Sequence, residues 1–261
     1  MTRILTYNVH RCVGTDRKLD VGRVAEVIAR QQPDIVALQE LDVGRLRTGM
    51  VDQAHEIARR LEMAYHFHPA MRVEEELYGD AILTIYPERL VRAAALPAYG
   101  GGNFIEPRGA LWVAVDIDGV EVQIINTHLG LIPREQQDQA QALAGEAWVS
   151  HPLCVSPAIL LGDFNATASS QVYRTLTANM ADARLFAPPP RTPTATFPSA
   201  MPVLRIDHVF VTPGIVIQSV FAPYDPLTRT ASDHLPLVVD FELVPPEGKA
   251  DGVAPPASER M

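Results

Sequence analysis

Carboxylate, amide and imidazole side chains stand at the ends of short apolar segments throughout this sequence. Residues 161–166, LLGDFN, run from two leucines straight into Asp163 and Asn165. A buried polar group without a partner costs on the order of a few kcal/mol, so a buried strand that ends this way needs a partner for each group. The same pattern marks six apolar segments, and the polar residues at their ends are Asn8, His10, Glu40, Asn126, His128, Asp163, Asn165, Asp207, His208, Asp233 and His234.

These residue types favour divalent-metal chemistry. The hard oxygen donors of the set belong to Asn8, Glu40, Asp163, Asn165, Asp207 and Asp233. Such oxygens suit Mg²⁺ or Mn²⁺, whereas Zn²⁺ prefers clusters of cysteine and histidine. His128 and His234 add imidazoles that titrate near neutral pH. Together these groups fit hydrolysis of a phosphate ester, in which a metal neutralises phosphoryl oxygens and an acid–base group activates water.

Short β-rich segments alternate with amphipathic helical segments along the chain. The predicted strands have the sequences RILTYNV, DIVALQE, DAILTIY, ALWVAVDI, VEVQIINTHL, AILLGDFN, DHVFVT, IVIQSVFA and LPLVVDFEL. Apolar spacing predicts helices over 21–31, 52–62 and about 134–148, and Asp118-Gly119 predicts a hairpin turn. This mixture indicates mixed sheets covered by helices. Since an antiparallel strand starts where its neighbour ends, the polar strand ends can share one edge.

Length and composition indicate an ordinary globular protein. The chain has 261 residues, of which 47% are hydrophobic and 20% charged, and no linker-like segment divides its core. We therefore predict one domain over residues 1–243 and a disordered, proline-rich tail over 244–261. No apolar segment approaches the roughly 20 residues of a membrane span, and no signal peptide is evident. These features predict a cytoplasmic protein without stable membrane insertion.

The metal-site interpretation is extended by seven motifs, which occur in the order TYNVH, VALQE, GDAIL, NTHL, GDFN, RIDHVF and SDHLP. Together they resemble the endonuclease/exonuclease/phosphatase superfamily, the Mg²⁺-dependent fold of DNase I, from about Arg3 to Leu243. The resemblance implies an α/β fold, a four-layer sandwich of two mixed β-sheets flanked by helices. It also implies a phosphoesterase that hydrolyses P–O bonds by in-line attack of water.

The resemblance also implies roles for individual residues. Glu40 would be the principal ligand of a Mg²⁺ or Mn²⁺ ion, with Asn8 beside it and Asp233 as a second carboxylate on the metal side. His234 would be the catalytic imidazole, oriented by Asp207.

The phosphate side of the implied site contains three further residues. Asp163 and Asn165 would position or deprotonate the attacking water and bind phosphate oxygens. His128 would hydrogen-bond the phosphate as negative charge develops on it. The sequence leaves open whether Asp163 or His234 is the general base.

Asp80 departs from the family pattern. Many family members have asparagine at this position, while the nuclease branch around DNase I uses a carboxylate as the partner of the histidine equivalent to His128. Asp80 can therefore hold His128 protonated, because a nearby negative charge raises the pKa of an imidazole. The alternative is a solvated aspartate at the start of a strand.

Four other residues near the motifs have candidate roles. His10 lies two residues beyond Asn8, on the same strand face, and could contact substrate. Arg108 and Arg134 lie close to motif segments and could bind phosphate in a bidentate manner; each could equally be a solvated side chain. His208 should point away from the site and pack in the core.

The expected activity is hydrolysis of phosphoric esters, most simply of phosphodiesters. The chain has a net charge of −9, no lysine-rich loop and no long insertion. These features favour a small phosphodiester or a lipid head group as substrate over long DNA. Two alternatives stay open, a DNA or RNA endo- or exonuclease and a catalytically inactive binding module of the same fold. The sequence identifies no protein partner.

Overall fold

Two β-sheets dominate the structure, a computed structural model that describes residues 1–73, 76–98, 106–189 and 192–244. The strands within these residues are β1 Thr2–Asn8, β2 Ile35–Val43, β3 Ala64–Val73, β4 Glu76–Thr84, β5 Glu88–Ala95, β6 Gly109–Ile117, β7 Val120–His128, β8 Ala158–Asp163, β9 Ala181–Asp182, β10 Asp207–Val211, β11 Ile215–Phe221 and β12 Leu237–Leu243. The helices are α1 Val21–Gln31, α2 Gln53–Leu61, α3 Pro133–Ala144, α4 Gln171–Leu176, α5 Ala183–Phe186 and α6 Pro226–Ala231, with 3₁₀ turns at His10–Cys12 and Leu46–Thr48.

The two sheets share one pattern of strand directions. The first has the order β11-β12-β1-β2-β4-β3, and the second has the order β5-β6-β7-β8-β10-β9. The two middle strands of each sheet, β1 with β2 and β7 with β8, are parallel. The remaining pairs are antiparallel. Both sheets are therefore mixed, as the sequence predicts.

The sheets pack face to face, and helices cover their outer faces. The central core joins Ile4 and Ile82 of the first sheet to Leu111, Ile124 and Leu161 of the second. The helical residues that pack on the outer faces include Val24, Val27 and Ile57 on the first sheet and Leu143 and Val172 on the second. Burying each such side chain contributes roughly 1.5–3 kcal/mol to folding. The order helix, sheet, sheet, helix confirms the predicted four-layer sandwich.

Helix α1 shows how the local sequence sets both helix ends. The Asp20 side chain accepts a hydrogen bond from the backbone N–H of Arg23 and so caps the first turn. Gln32 ends the helix in the left-handed conformation, with φ of 50°. The prediction over 21–31 is confirmed, and α2 lies within the predicted 52–62.

Helix α3 and three edge strands differ from the prediction. Helix α3 ends at Ala144 instead of near 148, because Gly145 takes an extended conformation and turns follow it. The predicted set lacks strands β3, β5 and β9. Each lies at an edge of its sheet, β9 is only two residues long, and β3 contains Pro69 at a shift in register. Edge strands are the sheet positions that tolerate proline and polar side chains, so they show little apolar alternation.

The first and last strands of the described chain are neighbours, since Thr2 of β1 lies opposite Phe241 of β12. The predicted tail over 244–261 lies outside the described residues apart from Val244, and the domain boundary at 243 stays a prediction. Among the helices that the structure describes, none combines the length and apolar character needed to cross a membrane.

Candidate active site

Strand ends from both sheets meet at one edge of the sandwich. Asp163 ends β8 and pairs with His128, the end of β7, and with Asp207, the start of β10. Asn8 ends β1 in the other sheet, and its Nδ2 donates a hydrogen bond to Asp163 Oδ2 at 3.0 Å. The polar strand ends therefore share one edge, as the sequence predicts.

A β-bulge carries Glu40 to this edge. The register of β2 against β4 shifts between Leu38 and Leu41, and Glu40 takes a left-handed φ of 63°. A bulge adds a residue to one strand and turns its side chain out of the regular alternation. Asn8 Nδ2 also donates to Glu40 Oε1 at 3.0 Å. The amide of Asn8 thus bridges Glu40 and Asp163.

Asn126, one of the polar strand ends, supports the bulge from within the sandwich. It is fully buried, and its Nδ2 donates to the carbonyl oxygens of Leu38 and Ala81 at 2.9 Å each. Its Oδ1 accepts a hydrogen bond from Gln39 Nε2 at 2.7 Å. Asn126 therefore satisfies backbone groups of both β2 and β4 beside the bulge and ties β7 to the other sheet.

The turn after β8 depends on two uncommon backbone conformations. Gly162 has φ of 142°, and a Cβ there would lie 1.9 Å from the carbonyl oxygen of Thr127, so only glycine fits. Asn165 is left-handed, with φ of 48°, and its backbone N–H donates to Asp163 Oδ1 at 2.8 Å. Since Asn8 binds Oδ2, both oxygens of Asp163 are held by hydrogen bonds.

His234 is paired with a carboxylate on its Nδ1 side. Its Nδ1 lies 2.9 Å from Asp207 Oδ2, which also accepts a hydrogen bond from Thr196 Oγ1 at 2.5 Å. Its Nε2 lies 3.6 Å from Asp163 Oδ2. Burial lowers the pKa of His234, but the negative charges of Asp207 and Asp163 outweigh burial and raise it to about 10. The imidazole is therefore charged at neutral pH.

Thr196 and its neighbour Phe197, whose ring lies 4.9 Å from the His234 ring between centroids, were not predicted as site residues. Both belong to the proline-rich segment 187–202. That segment has no strand or helix periodicity, so no sequence pattern indicates that it folds back onto Asp207.

His128 has an arginine where His234 has a carboxylate. Its Nδ1 lies 2.9 Å from an Nη atom of Arg108, and its Nε2 lies 3.5 Å from Asp163 Oδ2 and 3.1 Å from Asn165 Nδ2. Burial, the positive charge of Arg108 and that of His234 together lower the pKa of His128 well below its ordinary value. The imidazole is therefore neutral at neutral pH.

The prediction that Asp80 holds His128 protonated is wrong. Arg108, which directly precedes β6, occupies the Nδ1 side of the ring. Asp80 is not solvated either, since it is only 3% exposed in β4. Burial raises the pKa of Asp80 to about 8, the charge of Arg108 opposes this rise, and the charge of Glu40 adds to it.

Asp163 has a raised pKa for the same physical reason. Burial and the neighbouring charge of Asp207 raise its pKa to about 7, while His234 and the hydrogen bonds from Asn8 and Asn165 partly offset the rise. A carboxylate with a pKa near neutrality, held beside two imidazoles, is well placed for proton transfer.

The residues on the open side of the edge fit a hard divalent cation. Glu40 is partly exposed, and the Asp233 side chain, on the segment that leads into β12, is 40% exposed. Their carboxylates and the Asn8 amide are the oxygen-rich groups that Mg²⁺ or Mn²⁺ accepts. Asp163, Asp207 and His234 also lie close enough together to hold an ion. However, Asp207 Oδ2 and His234 Nδ1 already bond to each other, which favours the open side.

The three residues predicted to contact substrate lie in three different environments. His10 lies in a left-handed turn, with its Nδ1 3.8 Å from Asp233 Oδ1 and an arginine, Arg11, 2.6 Å from its Nε2. Arg108 is buried against His128, as described. Arg134 is exposed in the first turn of α3, and the neighbouring Gln136 hydrogen-bonds the backbone oxygen of Asn165.

His208 packs in the core, as predicted. It is 1% exposed and lies among Phe164, Tyr173 and Phe210, and its Nε2 is 2.8 Å from the carbonyl oxygen of Ala166.

The fold and the paired carboxylates and imidazoles define a class of protein. The chain belongs to the endonuclease/exonuclease/phosphatase family, whose family model matches residues 5–234. Members of this superfamily are metal-dependent phosphoesterases. The chain is also 26% identical to the uncharacterized protein YbhP of Escherichia coli (strain K12) over 251 residues, which cover 92% of this chain and 96% of YbhP.

Solved structures of low sequence identity share the fold. The mannosyl-6-phosphatase Bt3783 of Bacteroides thetaiotaomicron has a TM-score of 0.74 at 20% identity, covering 93% of this chain and all (100%) of that chain. The human Nocturnin catalytic domain with bound sulfate has a TM-score of 0.69 at 22% identity, covering 93% and 94%. These similarities show that the protein shares its fold with both structures.

Proposed function

We propose that this protein is a Mg²⁺- or Mn²⁺-dependent phosphodiesterase that hydrolyses a P–O bond by in-line attack of water. The observation that carries the proposal is the arrangement around Asp163. One carboxylate lies beside a cationic imidazole and a neutral one and is joined through Asn8 to the partly exposed Glu40. Charged and neutral hydrogen-bond donors beside a carboxylate are the groups that hydrolysis of a phosphate ester needs.

A divalent cation would be held by Glu40, with Asn8 and Asp233 beside it. When bound, the ion supplies positive charge to the phosphoryl oxygens and lowers the pKa of a coordinated water. Asn8 keeps Glu40 in place, since its Nδ2 donates to Glu40 Oε1 at 3.0 Å.

The protonation states favour Asp163 over His234 as general base. His234, with its pKa raised to about 10, already carries a proton at neutral pH and cannot accept another from water. Asp163, with a pKa of about 7, is substantially ionised there. We assign to Asp163 the proton of the attacking water and to His234 a hydrogen bond from Nε2–H to the phosphate. Asp207 orients His234, and Asn165 and His128 bind the remaining phosphate oxygens.

A small phosphodiester or a lipid head group is the favoured substrate, as the charge of −9 and the lack of lysine-rich loops indicate. A phosphomonoesterase is the second candidate. Arg108 adds a permanent positive charge beside His128, which suits a doubly charged phosphate, and one structural neighbour is named a mannosyl-6-phosphatase. A nuclease and an inactive binding module are further alternatives, and a cytoplasmic location stays a prediction.

The test compares a diester with a monoester on the metal-stripped protein. Bis(p-nitrophenyl) phosphate and p-nitrophenyl phosphate are assayed after EDTA treatment and again with Mg²⁺ or Mn²⁺, in the wild type and in Glu40→Gln. Glu26→Gln, an exposed glutamate on α1, is the matched control. We expect metal-dependent turnover of the diester, lost only in Glu40→Gln. No turnover with either metal, or full turnover in Glu40→Gln, contradicts the proposal.

A second assay separates the substrate classes. Turnover is compared on plasmid DNA, an abasic-site duplex, glycerophosphodiesters, phospholipid micelles and sugar monophosphates. We expect the small diesters or phospholipids to be preferred. Plasmid cleavage far above the others identifies a nuclease, and preference for the monophosphates identifies a phosphomonoesterase.

A further inference from the structure

The two ring nitrogens of His128 face two different hydrogen-bonding side chains. Nδ1 lies 2.9 Å from an Nη atom of Arg108, and Nε2 lies 3.1 Å from Nδ2 of Asn165. The His128 side chain is 4% exposed and the Arg108 side chain 8% exposed, so water does not mediate these contacts. A neutral imidazole has only one N–H, and its neighbours decide which nitrogen carries it.

Arg108 is the partner that determines which nitrogen of His128 carries the proton. A guanidinium can only donate, so Nδ1 must accept and carry no proton. The amide of Asn165 can present either its nitrogen or its oxygen to Nε2, because a half-turn exchanges the two at the expense of its bond to the Leu129 carbonyl oxygen. The carboxylate oxygen Oδ2 of Asp163, 3.5 Å from Nε2, also favours an N–H there.

We propose that Arg108 is a positioning residue, which donates to Nδ1 of His128 and so fixes the neutral tautomer whose proton lies on Nε2. The catalytic consequence rests on the proposed phosphoesterase activity. A neutral Nε2–H at the end of β7 donates to a phosphate oxygen and stabilises the charge that builds on it. A neutral imidazole does not readily lose this proton, so His128 acts as a fixed electrophile, unlike the charged His234.

The surroundings of Arg108 favour a functional role for this arginine. Within the described part of the chain it forms one ion pair, with Glu106, which is 45% exposed and lies 3.4 Å away, and its buried Nε has no hydrogen-bond partner there. A buried guanidinium without a bidentate carboxylate is costly for folding. The backbone of Arg108 is held in place, because its carbonyl oxygen accepts a hydrogen bond from the Leu96 N–H at 2.8 Å.

The first test reads the tautomer directly in the metal-free protein. Two-bond ¹⁵N–¹H spectra of histidine-labelled protein are recorded for the wild type, Arg108→Gln, Arg108→Met and the control Arg89→Gln, an exposed arginine on β5. We expect the Nε2–H pattern for His128 in the wild type, in Arg108→Gln, which keeps a donor, and in the control. Arg108→Met should shift His128 toward Nδ1–H. An Nδ1–H wild type, or an unchanged pattern in Arg108→Met, overturns the proposal.

The second test separates positioning from direct contact with substrate. If Arg108 acts through His128, Arg108→Met lowers kcat by about 10- to 100-fold with little change in KM, and Arg108→Gln restores most of kcat. If Arg108 instead binds phosphate itself, KM rises in both variants and glutamine does not rescue, which overturns the positioning role. Should Arg108→Met fail to fold, an Nδ1–H pattern in the wild type still overturns the proposal. Because the spectra need no activity, failure of the phosphoesterase proposal is distinguishable from failure of this one.

Discussion

His128 and His234 occupy matching places on the two sides of Asp163 but differ in charge, since His128 is neutral and His234 is cationic. Their Nε2 atoms lie 3.5 and 3.6 Å from the same carboxylate oxygen, and both rings are buried. His234 has Asp207 on Nδ1, and His128 has Arg108 there. The pKa of His234 is raised to about 10, whereas that of His128 is lowered well below its ordinary value. Burial lowers the pKa of both imidazoles, so the difference in charge between them follows from the side chain on Nδ1, which adds to the effect of burial at His128 and outweighs it at His234.

The difference in charge gives the two imidazoles different roles in the proposed reaction. His234 can donate a hydrogen bond to the phosphate from a cationic ring, while His128 can donate one from a neutral ring that keeps its proton. Two charged imidazoles so close to one another would repel each other, because like charges in a site of low dielectric are costly. A neutral His128 thus allows His234 to stay protonated.

The largest expected effect comes from removing the charged imidazole. His234→Gln keeps a polar side chain of similar size but loses the charge, and we expect kcat to fall by about 10²- to 10⁴-fold. The matched control is His55→Gln, an exposed histidine on α2, which should retain full activity. A His234→Gln enzyme within about threefold of the wild type would contradict a catalytic role for the charge of His234.

Asp207→Asn should have a smaller effect on rate and a clear effect on pH dependence. Without the Asp207 carboxylate, the pKa of His234 falls from about 10, so its proton is lost at lower pH. We expect the alkaline limb of the kcat–pH profile to move to lower pH and kcat to fall about 10- to 100-fold, the loss of one charge-assisted hydrogen bond. Thermal unfolding of the variant checks that its fold is intact. An unmoved alkaline limb would assign the limb to another group.

Much of this site could be predicted from the sequence, because strand ends are local features. Apolar segments that stop at Asn8, His128 and Asp163, or start at Asp207, identify one edge once the strands pair as they do here. The Asp118-Gly119 hairpin and helix α1 were predictable for the same reason, since each depends on residues close together in the chain.

The remaining features depend on contacts between distant segments. The bulge at Glu40 depends on how β2 pairs with β4, and no local sequence pattern encodes that register. Arg108 and Thr196 reach the histidine pairs from segments without regular periodicity, and arginine is so common in this chain that its type alone carries no signal. Family analogy predicts Asp80 as the partner of His128, whereas the structure has Arg108 there, 28 residues further along the chain.

Asp80→Asn should have the smallest effect on rate and a measurable effect on stability. Burial raises the pKa of Asp80 from 3.8 to about 8, so the folded protein holds this proton more tightly than the unfolded chain does. The wild type therefore loses stability as pH rises from about 4 to about 8, whereas asparagine does not titrate. In EDTA, we expect the Tm of Asp80→Asn minus the Tm of the wild type to increase as pH rises over this range. We expect kcat near neutral pH to change little.

The control for this experiment is Asp118→Asn, an exposed aspartate in the β6–β7 turn. Its Tm should follow the wild type at every pH. A pH-independent difference between Asp80→Asn and the wild type would show that Asp80 is ionised when buried. If the charge state of His128 changed in Asp80→Asn, then Asp80, and not Arg108 alone, would control the protonation of His128.

Of the two imidazoles beside Asp163, one is cationic and one is neutral, and a ¹⁵N NMR titration of the metal-free protein measures this difference most directly. The signals of His128 and His234 are assigned with the variants His128→Gln and His234→Gln. At neutral pH we predict that His234 carries protons on both nitrogens and releases one only near pH 10, while His128 carries a single proton at neutral pH and throughout that range. Two charged rings or two neutral rings at neutral pH would contradict the account.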